Sequence, residues 1–516
     1  MRFLLMVSVA TIGCATAPAR VADLAPSPPA DAVVTLLHLN DVYEITPIEG
    51  GRAGGLARVA TVRQRLLRER GQVLTTLGGD FMSPSALGTA RVDGEALAGR
   101  QMVAVLNAMG LDWATLGNHE FDIAERLFQA RVRESRFRYV ISNVTDTAGV
   151  PLSGTVPRAI VRVATRGGRV ITLGLVGTLL PATRAPWVRY QDQWAAVRRE
   201  VQRLRDSVDA VIAITHQYYY EDDRLASEVD GIDVIVGGHE HDNFLLRRGA
   251  RRTPIVKADG NARSAQVVTL HFGARGTRPV VTTELVPITD SIPEDPTVRA
   301  EVERWLDVAF AGYIRDGFAP RELVATIPEP LDARESVMRA RPTNMTELML
   351  AAMRREAPAA EIGIFNAGSI RIDDVVPAGP VTQYDVIRIL PFGGPLATVR
   401  VTGRLIARTL LTGSRNVGIG GFLHTYGAVV QGDQVMVNGQ PIDPDRVYTV
   451  VTTDFLLTGR EANLPFFVFP APEVTDRRNL RDVRVPLMEE MRARWGARGG
   501  PGGTAQAGGP KGRGSG

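Results

Sequence analysis

Cysteine is almost missing. The 516-residue chain has one, Cys14, so no intrachain disulfide can form and no cage of thiolates can hold a metal. Lysine is nearly as rare. Lys257 and Lys511 are the whole supply, and arginine carries the rest of the basic charge. The formal net charge of +4 is spread along the chain, with no dense arginine cluster alternating with aromatics. That is a composition bias, and it excludes a nucleic-acid polymer as the expected partner. Long apolar runs are absent too. Phe3–Val9 is too short to cross a bilayer, and no later stretch is long enough, so the body of the chain is expected to be soluble. There is no internal repeat. What is present is ordinary for a globular protein, 44% apolar and 22% charged, in a chain too long for one core. Two or more domains are expected.

The first residues read as an export signal. Met1-Arg2 is followed by the apolar run and then by Thr11-Ile12-Gly13-Cys14. This resembles a bacterial lipoprotein signal, with cleavage after Gly13 and lipid on Cys14, although Thr11 stands where Leu or Val is usual. The alternative is a plain secretory signal with an incidental cysteine. Both place the protein outside the cytoplasm, in the periplasm or at the cell surface. Residues 15–30, rich in Ala, Pro and Ser, read as a tether. The tail over 496–516, made of Gly, Pro, Ala and Arg, is expected to be disordered.

Between these ends lies a series of apolar strands, each running into polar residues. Val33–Leu37 leads to Asn40-Asp41, and Val73–Leu77 to Gly78-Gly79-Asp80. Trp113–Leu116 leads to Gly117-Asn118-His119-Glu120-Phe121-Asp122. Ala210–Ile214 leads to Thr215-His216, and Asp233–Val236 to Gly237-Gly238-His239-Glu240-His241. Helical periodicity fills the gaps at Leu56–Arg70 and Gln193–Ser207. Asp295-Pro296 starts a further helix, to about Tyr313, read as a connector. A second domain contains a helix over Thr343–Arg355 and then the stretch Glu361–Asn366. Strand-helix alternation predicts α/β architecture, with function at the carboxyl ends of the strands.

All five polar clusters lie at that end. They offer Asp41, Asp80, Asn118, His216, His239 and His241 as oxygen and nitrogen donors. Two divalent ions need about eight to twelve ligand positions, waters included, and Asp80 can bridge both. Carboxylate, amide and imidazole without thiolate suit Zn, Mn, Fe or Co. His119 then stands beside the metals, able to protonate a leaving oxygen, and Asp122 can accept its other N–H. His38, inside the first strand, is read as packing. His271 has no acidic neighbours and is set aside.

In this order the clusters resemble the calcineurin-like metallophosphoesterase superfamily. Thr343-Asn344-Met345, Phe365-Asn366-Ala367-Gly368-Ser369-Ile370-Arg371 and Leu390-Pro391-Phe392-Gly393 narrow the resemblance to the 5′-nucleotidase family. It covers roughly residues 33–470. The resemblance implies an α+β four-layer sandwich followed by a second α/β domain that binds substrate. It implies hydrolysis of 5′-nucleotide phosphate esters, with a hydroxide shared by two metals attacking phosphorus and His119, paired with Asp122, assisting the leaving group. One ion would take Asp41 and His241, the other Asn118, His216 and His239, with Asp80 shared. Arg339 and Arg371 match the arginines that hold the phosphate. Phe392 and Phe455 match the aromatics that sandwich the base. Without the resemblance the arginines read as solvated surface and the phenylalanines as core.

Three positions depart from the family pattern. Tyr43 stands where a histidine ligand is usual, so it or Glu44 takes the place, or the place is vacant. Gly394 replaces an asparagine that touches the base. Thr458-Gly459-Arg460-Glu461 replaces a Gly-Gly-Asp, with Glu461 in place of the base-contacting aspartate. The expected domain limits are 1–14 signal, 15–30 tether, 31–290 metallophosphoesterase, 291–315 linker helix, 316–495 substrate domain and 496–516 tail. The competing functions are a cyclic-nucleotide phosphodiesterase, a nucleotide-sugar pyrophosphatase or a sulfur-ester hydrolase on the same site, and a nucleotide-binding lipoprotein without catalysis.

Overall fold

The computed structural model describes residues 32–181 and 185–496. The expected signal, lipid-bearing Cys14 and tether, and the tail from residue 497 on, lie outside the described residues.

In the first half two sheets lie face to face. One has seven strands in the order Thr155–Val156, Arg138–Val140, Trp113–Ala114, Val73–Leu77, Ala32–Leu39, Ser264–Phe272 and Val280–Pro287. The other has six, in the order Arg158–Ala164, Val170–Leu179, Ala210–His216, Val234–Gly238, Thr253–Lys257 and Phe244–Arg248. Side-chain alternation along the strands builds the layers. Leu36 and Val268 of the first sheet meet Ile212, Val234 and Val256 of the second in one shared core. The neighbouring Leu37 and Leu39 point the other way, onto the helices Leu56–Arg70, Arg100–Met109 and Pro296–Arg315. On the far side, Val211, Ala213 and Ile235 receive Val197, Val201 and Leu204 of the helix Gln193–Leu204. The result is a helix-sheet-sheet-helix sandwich, four layers as the resemblance implied.

The second half is a smaller mixed domain. Its five-stranded sheet runs Leu423–Tyr426, Ile362–Asn366, Val447–Thr453, Pro395–Thr402, Val474–Asp482. Helices Asn344–Glu356 and Arg484–Trp495 cover one face through Met345, Leu348, Leu487 and Met491. Helix Gly403–Arg415 covers the other through Leu405, Ile406 and Leu410.

Helix starts are set locally. Asp295 accepts from the N–H groups of Thr297 and Val298, both at 3.0 Å, and Pro296 follows it in the first turn. Thr343 caps the helix that begins at Asn344, accepting from the Thr346 N–H at 3.3 Å. Some expected bounds move. The helix from Gln193 ends at Leu204, because Arg205–Ser207 turn back with the Ser207 N–H on the Leu204 carbonyl. The strand before Gly117 is only Trp113–Ala114. Both large sheets carry antiparallel strands beside parallel ones, such as Ser264–Phe272 against Ala32–Leu39 and Arg158–Ala164 against Val170–Leu179. His271 lies within the strand Ser264–Phe272, its Nε2 3.1 Å from the Thr282 hydroxyl. His38 is packed, as expected, with its ring nitrogens on the Thr76 hydroxyl and the Gly237 carbonyl. Among the described residues no helix is long and apolar enough to cross a membrane.

Helix Pro296–Arg315 docks on the first domain through Val298, Val302 and Trp305. Replacing Trp305 with Ala removes its largest buried ring and is expected to cost about 3–5 kcal/mol in urea unfolding. A loss below about 1 kcal/mol would show that the helix is not held by this contact.

Candidate active site

The strand ends that lead into the polar clusters point the same way, so five loops meet above the two sheets. Three of the expected ligands sit in left-handed backbone conformations: Asp41 at φ 52°, Asp80 at φ 53° and His239 at φ 87°. Non-glycine residues are costly there, and such strain persists where the surroundings dictate it. Two glycines let the loops close up. A Cβ on Gly117 would lie 2.1 Å from Asp80 Oδ1, and one on Gly238 would lie 2.5 Å from the Gly78 carbonyl.

Asp80 is the hub. Its Oδ1 accepts from the His119 backbone N–H at 2.8 Å. Its Oδ2 lies 3.1 Å from both the Tyr43 hydroxyl and His216 Nε2. His216 Nε2 is also 3.1 Å from Asn118 Oδ1, while its Nδ1 bonds the Gly78 carbonyl at 2.7 Å. Asp41, Asp80 and His216 offer ligand atoms within 4.8 Å of one another. Asp41 Oδ2 accepts from Asn40 Nδ2 at 2.8 Å and the His239 N–H at 2.9 Å. His241 Nε2 is 3.8 Å from Asp41 Oδ1. The His239 ring stands edge-on to His216, 5.2 Å between centroids. The six expected ligands are thus brought together.

These groups fit a pair of cations. Asp41 Oδ1 is buried with no hydrogen-bond partner, an expensive state for a carboxylate oxygen unless a cation meets it. Burial lowers the His216 pKa, but the Asp80 charge and hydrogen bond prevail and raise it to about 9. Burial likewise opposes protonation of His241, and the Asp373 hydrogen bond with the Asp41 charge lifts it to about 9. His239, dominated by burial, falls to about 2 and is the neutral imidazole a metal requires. Metal ions bound by these groups would compete with protons.

Tyr43 is inside the cluster, its hydroxyl 3.5 Å from His241 Nε2. Burial and the carboxylates of Asp80 and Asp41 push its pKa well up, so it stands as a phenol donating to Asp80. Glu44 is not in the cluster. It pairs with Arg388 of the second domain at 3.4 Å. His119 Nδ1 lies 2.6 Å from Asp122 Oδ2, and its Nε2 lies 3.2 Å from Arg371 Nη2. Arg371 and Arg339 share Glu335, at 3.1 Å and 2.5 Å. Next to His119 opens a cavity of about 760 Å³ lined by Arg371, Phe392, Phe455 and Glu461. Phe392 is 56% exposed and Phe455 42%, so neither belongs to the core. Glu461 is buried and accepts from Asn366 Nδ2 at 2.6 Å.

Two residues missed in the sequence hold the loops. Glu120 accepts from the backbone N–H groups of Asp80, Phe81, Met82 and Gly117 at 2.5–3.0 Å, tying the Asp80 turn to the Asn118 turn. Lys257, fully buried, donates to the carbonyls of Gln217 at 2.6 Å and Gly238 at 2.7 Å. It pairs with Glu240 and lies 3.1 Å from Asp222. The His216 and His239 loops are therefore fastened to one ammonium. Its near uniqueness in the composition was the available signal.

Replacing Lys257 with Met leaves Asp222 and two carbonyls without their partner. A destabilisation of about 3–5 kcal/mol in denaturant unfolding is expected, as for one half of a buried ion pair. A neutral outcome would mean the ammonium contributes nothing net.

Known proteins share this layout. A family model described as calcineurin-like phosphoesterase matches residues 34–243, and one described as 5′-nucleotidase, C-terminal domain, matches residues 323–468. The 5′-nucleotidase of Bos taurus is 27% identical over 495 residues, covering 83% of this chain and 83% of that protein. The crystal structure of a 5′-nucleotidase precursor from Thermus thermophilus superposes with a TM-score of 0.73 at 22% identity, covering 90% of this chain and 97% of that one. A sulfate thiohydrolase from Thermus thermophilus has the same fold, with a TM-score of 0.66 at 19% identity over 91% of this chain and 95% of that one. With both family models matched in order, the chain carries a calcineurin-like phosphoesterase domain followed by a 5′-nucleotidase C-terminal domain, the layout of a metal-dependent phosphoester hydrolase.

Proposed function

We propose that the protein hydrolyses the phosphate ester of 5′-nucleotides. The observation that carries this reading is the meeting of Arg371, from the second domain, with His119 Nε2 at the edge of the Asp80 cluster and at the mouth of the aromatic cavity. Phosphate, leaving oxygen and base each have a matching group there. Asp41 and His241 would hold one ion, Asn118, His216 and His239 the other, with Asp80 between them. When bound, two such ions supply positive charge to phosphate oxygens and make water nucleophilic near neutral pH.

The chain's own groups then divide the work. Arg371, with Arg339 behind the same glutamate, binds phosphate oxygens; a planar guanidinium suits them in pairs. Asp122 accepts the Nδ1–H of His119 and leaves Nε2 to carry the proton passed to the leaving oxygen. Phe392 and Phe455, exposed across the cavity, stack on a base, worth about 1–3 kcal/mol per base in comparable complexes. Glu461, fixed by Asn366, offers an acceptor to the base edge. The proposed division keeps the metal ligands in residues 31–290 and the nucleotide contacts in 316–495, joined by the helix over 291–315. We further propose export and anchoring through Cys14, which rests on the signal-like first residues.

Phosphate release should be measured from 5′-monophosphates, cyclic nucleotides and nucleotide sugars. Turnover of AMP or another 5′-monophosphate is expected, abolished by chelator and restored by Mn²⁺ or Zn²⁺. His119→Ala is expected to lower kcat about 10²–10⁴-fold, and Phe392→Ala to raise KM more than it lowers kcat. No metal-dependent turnover of any substrate in the panel would overturn the proposal. For the anchor, Cys14→Ser is expected to shift the protein from the membrane fraction to the soluble exported fraction; an unchanged distribution excludes lipid on Cys14.

A further inference from the structure

The two histidines at the heart of the metal cluster are held differently. His216 has its Nδ1 on the Gly78 carbonyl at 2.7 Å, a group of its own domain. His241 has its Nδ1 on Asp373 Oδ2 at 2.5 Å, and Asp373 belongs to the second domain. Among the described residues that is the one hydrogen-bond partner shown for His241 Nδ1.

Asp373 is held from both domains, by Glu335 of its own and by Arg263 of the first. It sits at φ 43°, its Oδ1 accepts from the Glu335 N–H at 2.8 Å, and its carbonyl accepts from Arg263 Nη2 at 2.8 Å. One carboxylate oxygen is therefore anchored within the second domain while the other faces His241. The contact turns the opposite ring nitrogen, Nε2, toward Asp41 and the Tyr43 hydroxyl. A carboxylate on the far nitrogen fixes the tautomer and orientation of a ligating histidine, and raises its basicity.

We infer that Asp373 is a positioning residue for His241, so that the ion bound by Asp41 and His241 depends on a side chain of the substrate domain, whereas the ion bound by Asn118 and His216 does not. Metal binding at one of the two places is then linked to the seating of the second domain. By thermodynamic reciprocity, whatever seats that domain tightens that ion. The inference rests on the ligand assignment proposed above.

The test is metal titration of the full-length, metal-free protein with Mn²⁺ by calorimetry, with folding checked by circular dichroism. Wild type is expected to bind two ions, and His241→Ala to lose one. Asp373→Ala is expected to weaken one ion about 10–100-fold, the usual range for losing such a partner, and to leave the other at its wild-type affinity. Asp373→Asn, whose amide oxygen still accepts from Nδ1–H, is expected to fall between. It carries the test should the alanine variant not fold. Both ions at wild-type affinity in the Asp373 variants, or both weakened alike, would overturn the inference while leaving the ligand assignment standing. His241→Ala titrating like wild type would overturn the assignment and the inference with it.

Discussion

Two carboxylate oxygens of one aspartate set the geometry of the whole centre. Asp80 takes the His119 backbone on one oxygen and faces Tyr43 and His216 with the other. Three loops from separate strand ends are thereby referred to a single buried charge. A buried charge with this many donors is bearable only while all of them stay in place. That condition explains the layer beneath it. Glu120 gathers the backbone N–H groups that would otherwise be stranded in the turn, and Gly117 gives the carboxylate room. Burial, with Asp80 next, raises the Glu120 pKa to about 6.

The sandwich supplies that arrangement cheaply. Its ligand-bearing strands run parallel within each sheet, so each carries its carboxyl end to the same rim. The second domain then closes the rim from above. It brings a phosphate-sized guanidinium, an aromatic slot and a carboxylate aimed at a first-domain imidazole. The site is thus divided between bodies in a way that neither core dictates alone. Cross-contacts such as Arg388 with Glu44 help to seat the two.

Much of this was legible in the chain. An apolar run that ends in Asp, Asn or His suggests both a strand and its functional end, and five repetitions in order singled out the six candidate ligands as a set. The helix from Pro296 was equally plain, because Asp-Pro and the apolar spacing agree. What stayed hidden depended on distance in space. Lys257 looks like one more strand residue until the His216 and His239 loops are seen around it. Phe392 and Phe455 were matched to base-stacking aromatics through the resemblance alone; by composition they read as core, and only the structure shows them exposed. Asp373 follows Arg371 closely, yet nothing in its neighbours announces a histidine 132 positions away. Tyr43 was flagged as a departure, but its role as a donor to Asp80 needed coordinates.

The buried ammonium has one more implication. Elsewhere this chain carries nearly all of its basic charge on arginine, a choice that costs little where the side chain ends in water. At position 257 the head group is enclosed by two carbonyls and two carboxylates sized for a compact tetrahedral ion. A flat, branched guanidinium has no room to lie there without prising the two histidine turns apart. The preference for arginine that holds along most of the chain therefore meets a steric limit at this buried position.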